Sequence, residues 1–137
     1  MARFRLDLEY VGTRYSGWQA QPNARTVQGA LHEAVRKVAK RTDFESYGSG
    51  RTDSGVHALH QVAHLDLESR LPPETLRRAL NDELPADIHL LRVTKVTREF
   101  HARHFVPFER AADLGVWRGA DGVGGGDGSV AGILVVI

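Results

Sequence analysis

Arg3-Phe4-Arg5-Leu6-Asp7-Leu8-Glu9-Tyr10 places an apolar side chain at every second position and a charge between each. A period of two puts Phe4, Leu6, Leu8 and Tyr10 on one face of a strand and four charges on the other. Downstream, Thr26 is a plausible N-cap. Val27, Leu31, Ala34, Val35 and Val38 then recur at helical spacing through Lys40, with cations gathered in the last turn. Residues 44–49 and 60–68 read as two further strands. On the second, Gln61, Ala63, Leu65 and Leu67 face one way, while His60, Val62, His64, Asp66 and Glu68 form a polar, open face. Pro72 and Pro73 open a second helix with Leu76, Ala79, Leu80 and Leu84 on its apolar side, ended by Pro85, and residues 88–96 make a last strand. The order strand, helix, strand, strand, helix, strand predicts an α+β fold, the ferredoxin-like split βαββαβ unit: an antiparallel sheet with helices on one face.

A chain of 137 residues favours one core. Hydrophobic residues make up 42% and charged residues 26%, so the whole is not a disordered chain. The apolar periods close near residues 96–103, which predicts a domain over residues 1–105. Residues 106–137 form a tail expected to be poorly ordered, because eight of the 14 glycines fall at positions 115 to 132. The uncharged ending Ala131-Gly132-Ile133-Leu134-Val135-Val136-Ile137 is strongly β-prone, an aggregation hazard unless it pairs with a sheet edge. Eighteen Lys plus Arg against 17 Asp plus Glu give a net charge of +1, so any basic surface must be local. Arg3, Arg5, Arg14, Arg25, Arg36, Lys37, Lys40 and Arg41 enrich the first third and are compatible with a phosphate-binding face. With no cysteine there is neither disulfide nor thiolate metal site, which suits a reducing cytoplasm. No signal core and no run of the ~20 apolar residues needed for a membrane span is present, so no membrane partner is expected.

Between the second and third strands lies Gly48-Ser49-Gly50-Arg51-Thr52-Asp53-Ser54-Gly55-Val56-His57. Its glycines permit tight backbone, so Arg51 and Asp53 can be held out from the scaffold. Arg51 can hold a phosphate or stack on a base; Asp53 can act as nucleophile or base. The plainer reading is a Gly-rich turn with a surface ion pair. A P-loop is excluded because Val56-His57 stands where Lys-Ser/Thr is required. A dinucleotide fingerprint lacks its third glycine, at Asp53, and neither Ser49 nor Ser54 sits in Gly-x-Ser-x-Gly. A histidine metal centre is disfavoured, since His60 and His64 on one strand lie about 13 Å apart in rise. The earlier loop, residues 11–25, carries Arg14, Tyr15 and Trp18 among Gly12, Gly17, Pro22 and Asn23, which suits a projecting loop that touches phosphates and stacks on bases; the plainer reading is that Trp18 covers the end of the core.

The segment GSGRTDSGVHALHQVAH, Gly48 to His64, resembles the active-site segment of the TruA family of tRNA pseudouridine synthases. The similarity continues in family order through Tyr10-Val11-Gly12-Thr13-Arg14-Tyr15-Ser16-Gly17-Trp18-Gln19, Thr26-Val27-Gln28-Gly29-Ala30-Leu31, Leu80-Asn81 with Leu84-Pro85-Ala86-Asp87-Ile88, and Phe100-His101-Ala102-Arg103. It covers roughly residues 3 to 103. The resemblance implies an isomerase that converts uridine to pseudouridine in tRNA, in the anticodon stem-loop region, without cofactor or metal. It assigns the catalytic carboxylate to Asp53, either attacking the sugar or removing a proton to begin glycal formation. Arg51 is expected to take the place of an extruded base and to pair with Asp53, keeping it ionised; Thr52, Arg14, Trp18 and Arg103 are further expected RNA contacts. The partner implied is tRNA, with a homodimer as the family's assembly. Two departures qualify the expectation. Ala111 stands where the family carries a base-stacking Tyr, and no family-like second half follows Val106. The chain is therefore expected to be truncated and weakly active, the alternative being a non-catalytic RNA-binding or non-functional fragment.

Overall fold

The computed structural model describes residues 1–104 and 133–136. The expected alternation is realised in β1 (Ala2–Tyr10), where Phe4, Leu6, Leu8 and Tyr10 are each at most 3% exposed. Helix α1 (Val27–Ala39) begins at Thr26, whose hydroxyl accepts the Gly29 N–H at 3.1 Å. It ends on Lys40 in the left-handed region, φ 55°. Strands β2 (Glu45–Gly48) and β3 (His57–Leu67) flank the glycine loop, and β3 starts earlier than the sequence period suggests because Ala58 pairs with β1 and both His57 and Ala58 pair with a later strand. Helix α2 (Pro73–Glu83) buries Leu76 and Leu80, and Leu84 ends it. Strand β4 (Ile88–Val96) completes the unit.

The strands lie in the order β2-β3-β1-β4, with antiparallel pairing throughout, which is the split βαββαβ arrangement with both helices on one face. The core lies between sheet and helices. Phe4, Leu6, Leu8, Ala63, Leu65 and Leu67 from the sheet meet Val27, Leu31, Val35, Leu76 and Leu80 from the helices. Full burial of each large side chain stabilises the fold by about 1.5–3 kcal/mol, the dominant favourable contribution.

The other face is not open in the way the alternation implies. Val62 and His64 are 0% and 2% exposed. The segment after β4 turns back across this face: Arg3 donates to the Arg98 and Phe100 carbonyls at 3.0 and 2.7 Å, and the Ala102 N–H donates to His64 Nδ1 at 3.2 Å. Asp7 is also buried, beside Arg5 at 2.8 Å. Alternation marks which side a residue faces, but not what later chain covers it.

That cover makes His64 a titrating element of stability. Burial, followed by the charges of Arg3 and His101 and opposed by Asp66, pulls its pKa down to about 4. The unfolded chain takes up a proton here near pH 6.5, which the folded protein refuses until about pH 4. This contribution is therefore complete above the unfolded value and declines as pH falls through that window. His64→Asn retains an acceptor for the Ala102 N–H without the titration. Urea midpoints near pH 7 and near pH 5 should differ less in this variant than in the parent; an equal difference would place the titration elsewhere.

The apolar ending does find a sheet edge. Strand β5 (Ile133–Val136) pairs antiparallel with β3, Ile133 opposite Gln61 and Val136 opposite His57. It occupies the side of β3 that β2 vacates, because β2 pairs only with residues 63–66. Residues 105–132 and Ile137 lie outside the described residues, and so do most of the tail expected to be poorly ordered and the Ala111 position.

Candidate active site

The loop between β2 and β3 is held in part by backbone hydrogen bonds to its neighbours. Ser49 N–H donates to the Val62 carbonyl at 2.8 Å, Trp18 N–H to the Thr52 carbonyl at 3.1 Å, and Gly55 N–H to the Tyr15 carbonyl at 3.1 Å. The loop over residues 11–18 is thus its floor. Gly17 has φ +84°, and a Cβ there would come within 2.5 Å of the Thr52 carbonyl oxygen, so only glycine allows this approach. Gly12 is similarly confined, packed against the Val56 carbonyl, and its N–H donates to His57 Nδ1 at 2.8 Å.

Side chains complete the hold from below. The buried hydroxyls of Tyr10 and Thr52 share a hydrogen bond of 2.9 Å. Burial pushes the Tyr10 phenol up to about 12, so it stays protonated and available to this bond. Gln61 Nε2 donates to the Gly50 carbonyl at 2.9 Å, and Ser49 Oγ donates to Gln61 Oε1 at 3.3 Å. Tyr10 and Gln61 both lie within the motif segments, yet the motifs assign neither a role in holding the loop. The signal for Gln61 was a fully polar residue on the core-facing side of a strand, which requires an internal partner.

Between these anchors, Thr52 points inward at 7% exposure while Arg51 and Asp53 are exposed. The Arg51 and Asp53 side chains make no ion pair or hydrogen bond with one another or with any other described residue, so the expected Arg51–Asp53 pair is not formed. Alternation around Thr52 turns both charges outward together.

The remaining expected contacts separate. Arg51, Trp18 and Arg103 line one cleft of about 480 Å³, whose wall is the outer edge of β2. Arg103 is exposed and its guanidinium lies 5.7 Å from the Tyr47 ring centroid. Arg14 is exposed on a one-turn 3-10 helix (Gly12–Arg14) and does not line that cleft. Trp18 does not project. It is 1% exposed, stacked 6.3 Å from Tyr10 and packed on Gly48, where a Cβ would meet its Nε1 at 2.6 Å. Its indole belongs to the core, because the loop carrying it folds under the glycine loop rather than away from it. Nor does the N-terminal third present an unbroken basic face. Arg3 pairs with Asp66, Arg5 with Asp7, Arg36 with Glu33 and Arg41 with Asp43.

Comparison with known proteins identifies the family. A family model described as tRNA pseudouridine synthase matches residues 8–104, which include the loop, its floor and the segment over the sheet. A tRNA pseudouridine synthase A of Levilactobacillus brevis is 44% identical over 123 residues, 86% of this chain and 46% of that protein. Proteins with the same description from Latilactobacillus sakei and Maridesulfovibrio salexigens are each 48% identical, over 101 and 104 residues, covering 74% and 76% of this chain and 41% and 38% of theirs. The chain thus spans less than half the length of these relatives.

Proposed function

The chain belongs to the tRNA pseudouridine synthase family, and from that premise we propose that it isomerises uridine to pseudouridine in tRNA, in the anticodon stem-loop region. The observation that carries the reading is the pinned loop in which Arg51 and Asp53 stand exposed on either side of a buried Thr52. In this reaction the N1–C1′ bond of uridine breaks, the base turns, and a C5–C1′ bond forms. N1 gains a proton and C5 releases one to solvent. Asp53 supplies the carboxylate for cleavage of the glycosidic bond. Arg51, a planar cation at the loop's crest, fills the space left by the extruded base, and Arg14 and Arg103 contact the RNA. Thr52 acts through the loop, by its bond to Tyr10, rather than by touching RNA. The absence of cysteine fits work in a reducing cytoplasm.

RNA binding without turnover is the second reading, favoured by the openness of Asp53, which no described residue encloses. A homodimer is the assembly we propose, a second copy standing over the open loop. Tritium release from 5-tritiated uridine in tRNA tests the first reading: release above a no-protein control is expected. Binding with no release, at any protein concentration, would leave the second.

A further inference from the structure

We propose that the cleft beside β2 is a nucleotide subsite, in which Tyr47 stacks an unpaired base adjacent to the target uridine while Arg51 and Arg103 hold its phosphate. The inference rests on the RNA-modifying reading above and assigns a place to a neighbouring nucleotide.

Tyr47 pairs in register with His64, so it stands on the face of the sheet away from the helices. Its ring is fixed from behind. It stacks on His64 at 5.6 Å and 26°, and leans on His101 at 5.2 Å. Nevertheless 47% of the residue is exposed, on an edge strand whose outer side opens into the cleft. A buttressed aromatic ring loses little freedom on binding, and every base has a face that can stack on it. A volume of about 480 Å³ is suitable for one nucleotide.

Charge orients the occupant. Arg51 and Arg103 both line the cleft, whereas the only carboxylate among its described lining residues is Glu45, at the start of β2 and thus at the opposite end of the strand from the loop. The phosphate therefore belongs at the loop end. Planar guanidiniums suit it, and a base laid on the open part of Tyr47 lies beside the Arg103 cation already resting on that ring. Asp53 does not line this cleft although Arg51 does. The occupant is accordingly a neighbour of the reacting uridine rather than that uridine itself.

The test is fluorescence anisotropy of a fluorescein-labelled oligouridylate titrated with the full chain over a series of salt concentrations. Tyr47→Ala should weaken binding about 5- to 150-fold at fixed salt, with the salt slope unchanged. Tyr47→Phe, which keeps the ring, should bind like the parent. Arg103→Ala should weaken binding and make the salt slope shallower by about one phosphate contact. Thermal melts of each variant check that the fold is retained. Parent-like binding by Tyr47→Ala, equal losses in the Ala and Phe variants, or no binding by the parent would each overturn the subsite. Tritium release assayed in parallel separates the two readings. Tyr47-dependent binding without release sinks the isomerase and leaves the subsite, whereas release with Tyr47-independent binding sinks the subsite alone.

Discussion

Asp53→Asn should suppress tritium release from 5-tritiated uridine in tRNA by at least about 10²–10⁴-fold, the range in which a positioned proton-transferring or nucleophilic group contributes. Its thermal unfolding should match the parent's. The two outcomes are linked by geometry. The Asp53 side chain is exposed and makes no bond to another described side chain, and the loop's position depends on the Thr52 carbonyl, the Gly50 carbonyl and the Tyr10–Thr52 pair. Asn is nearly isosteric, so the variant removes a charge and leaves these anchors in place. If the variant turned over at the parent's rate, another carboxylate would have to carry the step. A loss of both activity and unfolding temperature would instead assign Asp53 a structural role that its exposure does not suggest.

Trp18→Ala should produce the largest loss of stability, about 3–5 kcal/mol by urea denaturation, because removing a fully buried indole leaves a cavity that the surroundings fill only partly. Trp18 is 1% exposed and lies between Tyr10 and the backbone of Gly48, directly beneath the entrance to the loop. Its loss also removes the support under Gly48 to Thr52, so any isomerisation should fall together with stability. An indole that projected to stack on RNA would behave differently, with weakened oligonucleotide binding and an unchanged unfolding midpoint. Observation of that second pattern would restore the projecting loop and contradict its place in the core.

What was legible from residues alone was local. The alternation of Phe4, Leu6, Leu8 and Tyr10, the Thr26 cap and the Pro72-Pro73 helix start each depend on a few adjacent positions, and together they decide the element order and the split βαββαβ fold. Spacing likewise isolated Arg51 and Asp53, since glycines on both sides leave few other residues for a loop to present. The expected RNA contact of Trp18 is not met, because an aromatic residue between glycines looks the same in sequence whether its loop turns outward or folds under the sheet. Only the contacts of Gly12 with Val56 and of Gly17 with Thr52 settle that direction.

By itself, then, the sequence determined the elements, the core face and the identity of the charged pair, because these follow from periods of 2 and 3.6 and from backbone freedom at glycine. Tertiary structure alone decided that His64 is buried, that Tyr10 and Gln61 hold the loop, and that Tyr47, Arg51 and Arg103 share one cleft. The contacts of Ala102 with His64, Tyr10 with Thr52 and Arg103 with Tyr47 join residues 38, 42 and 56 positions apart, and Gln61 reaches Gly50 across 11. No local period encodes such contacts; they exist only once the antiparallel register has brought β1, β2 and β3 side by side and the chain after β4 has folded across them.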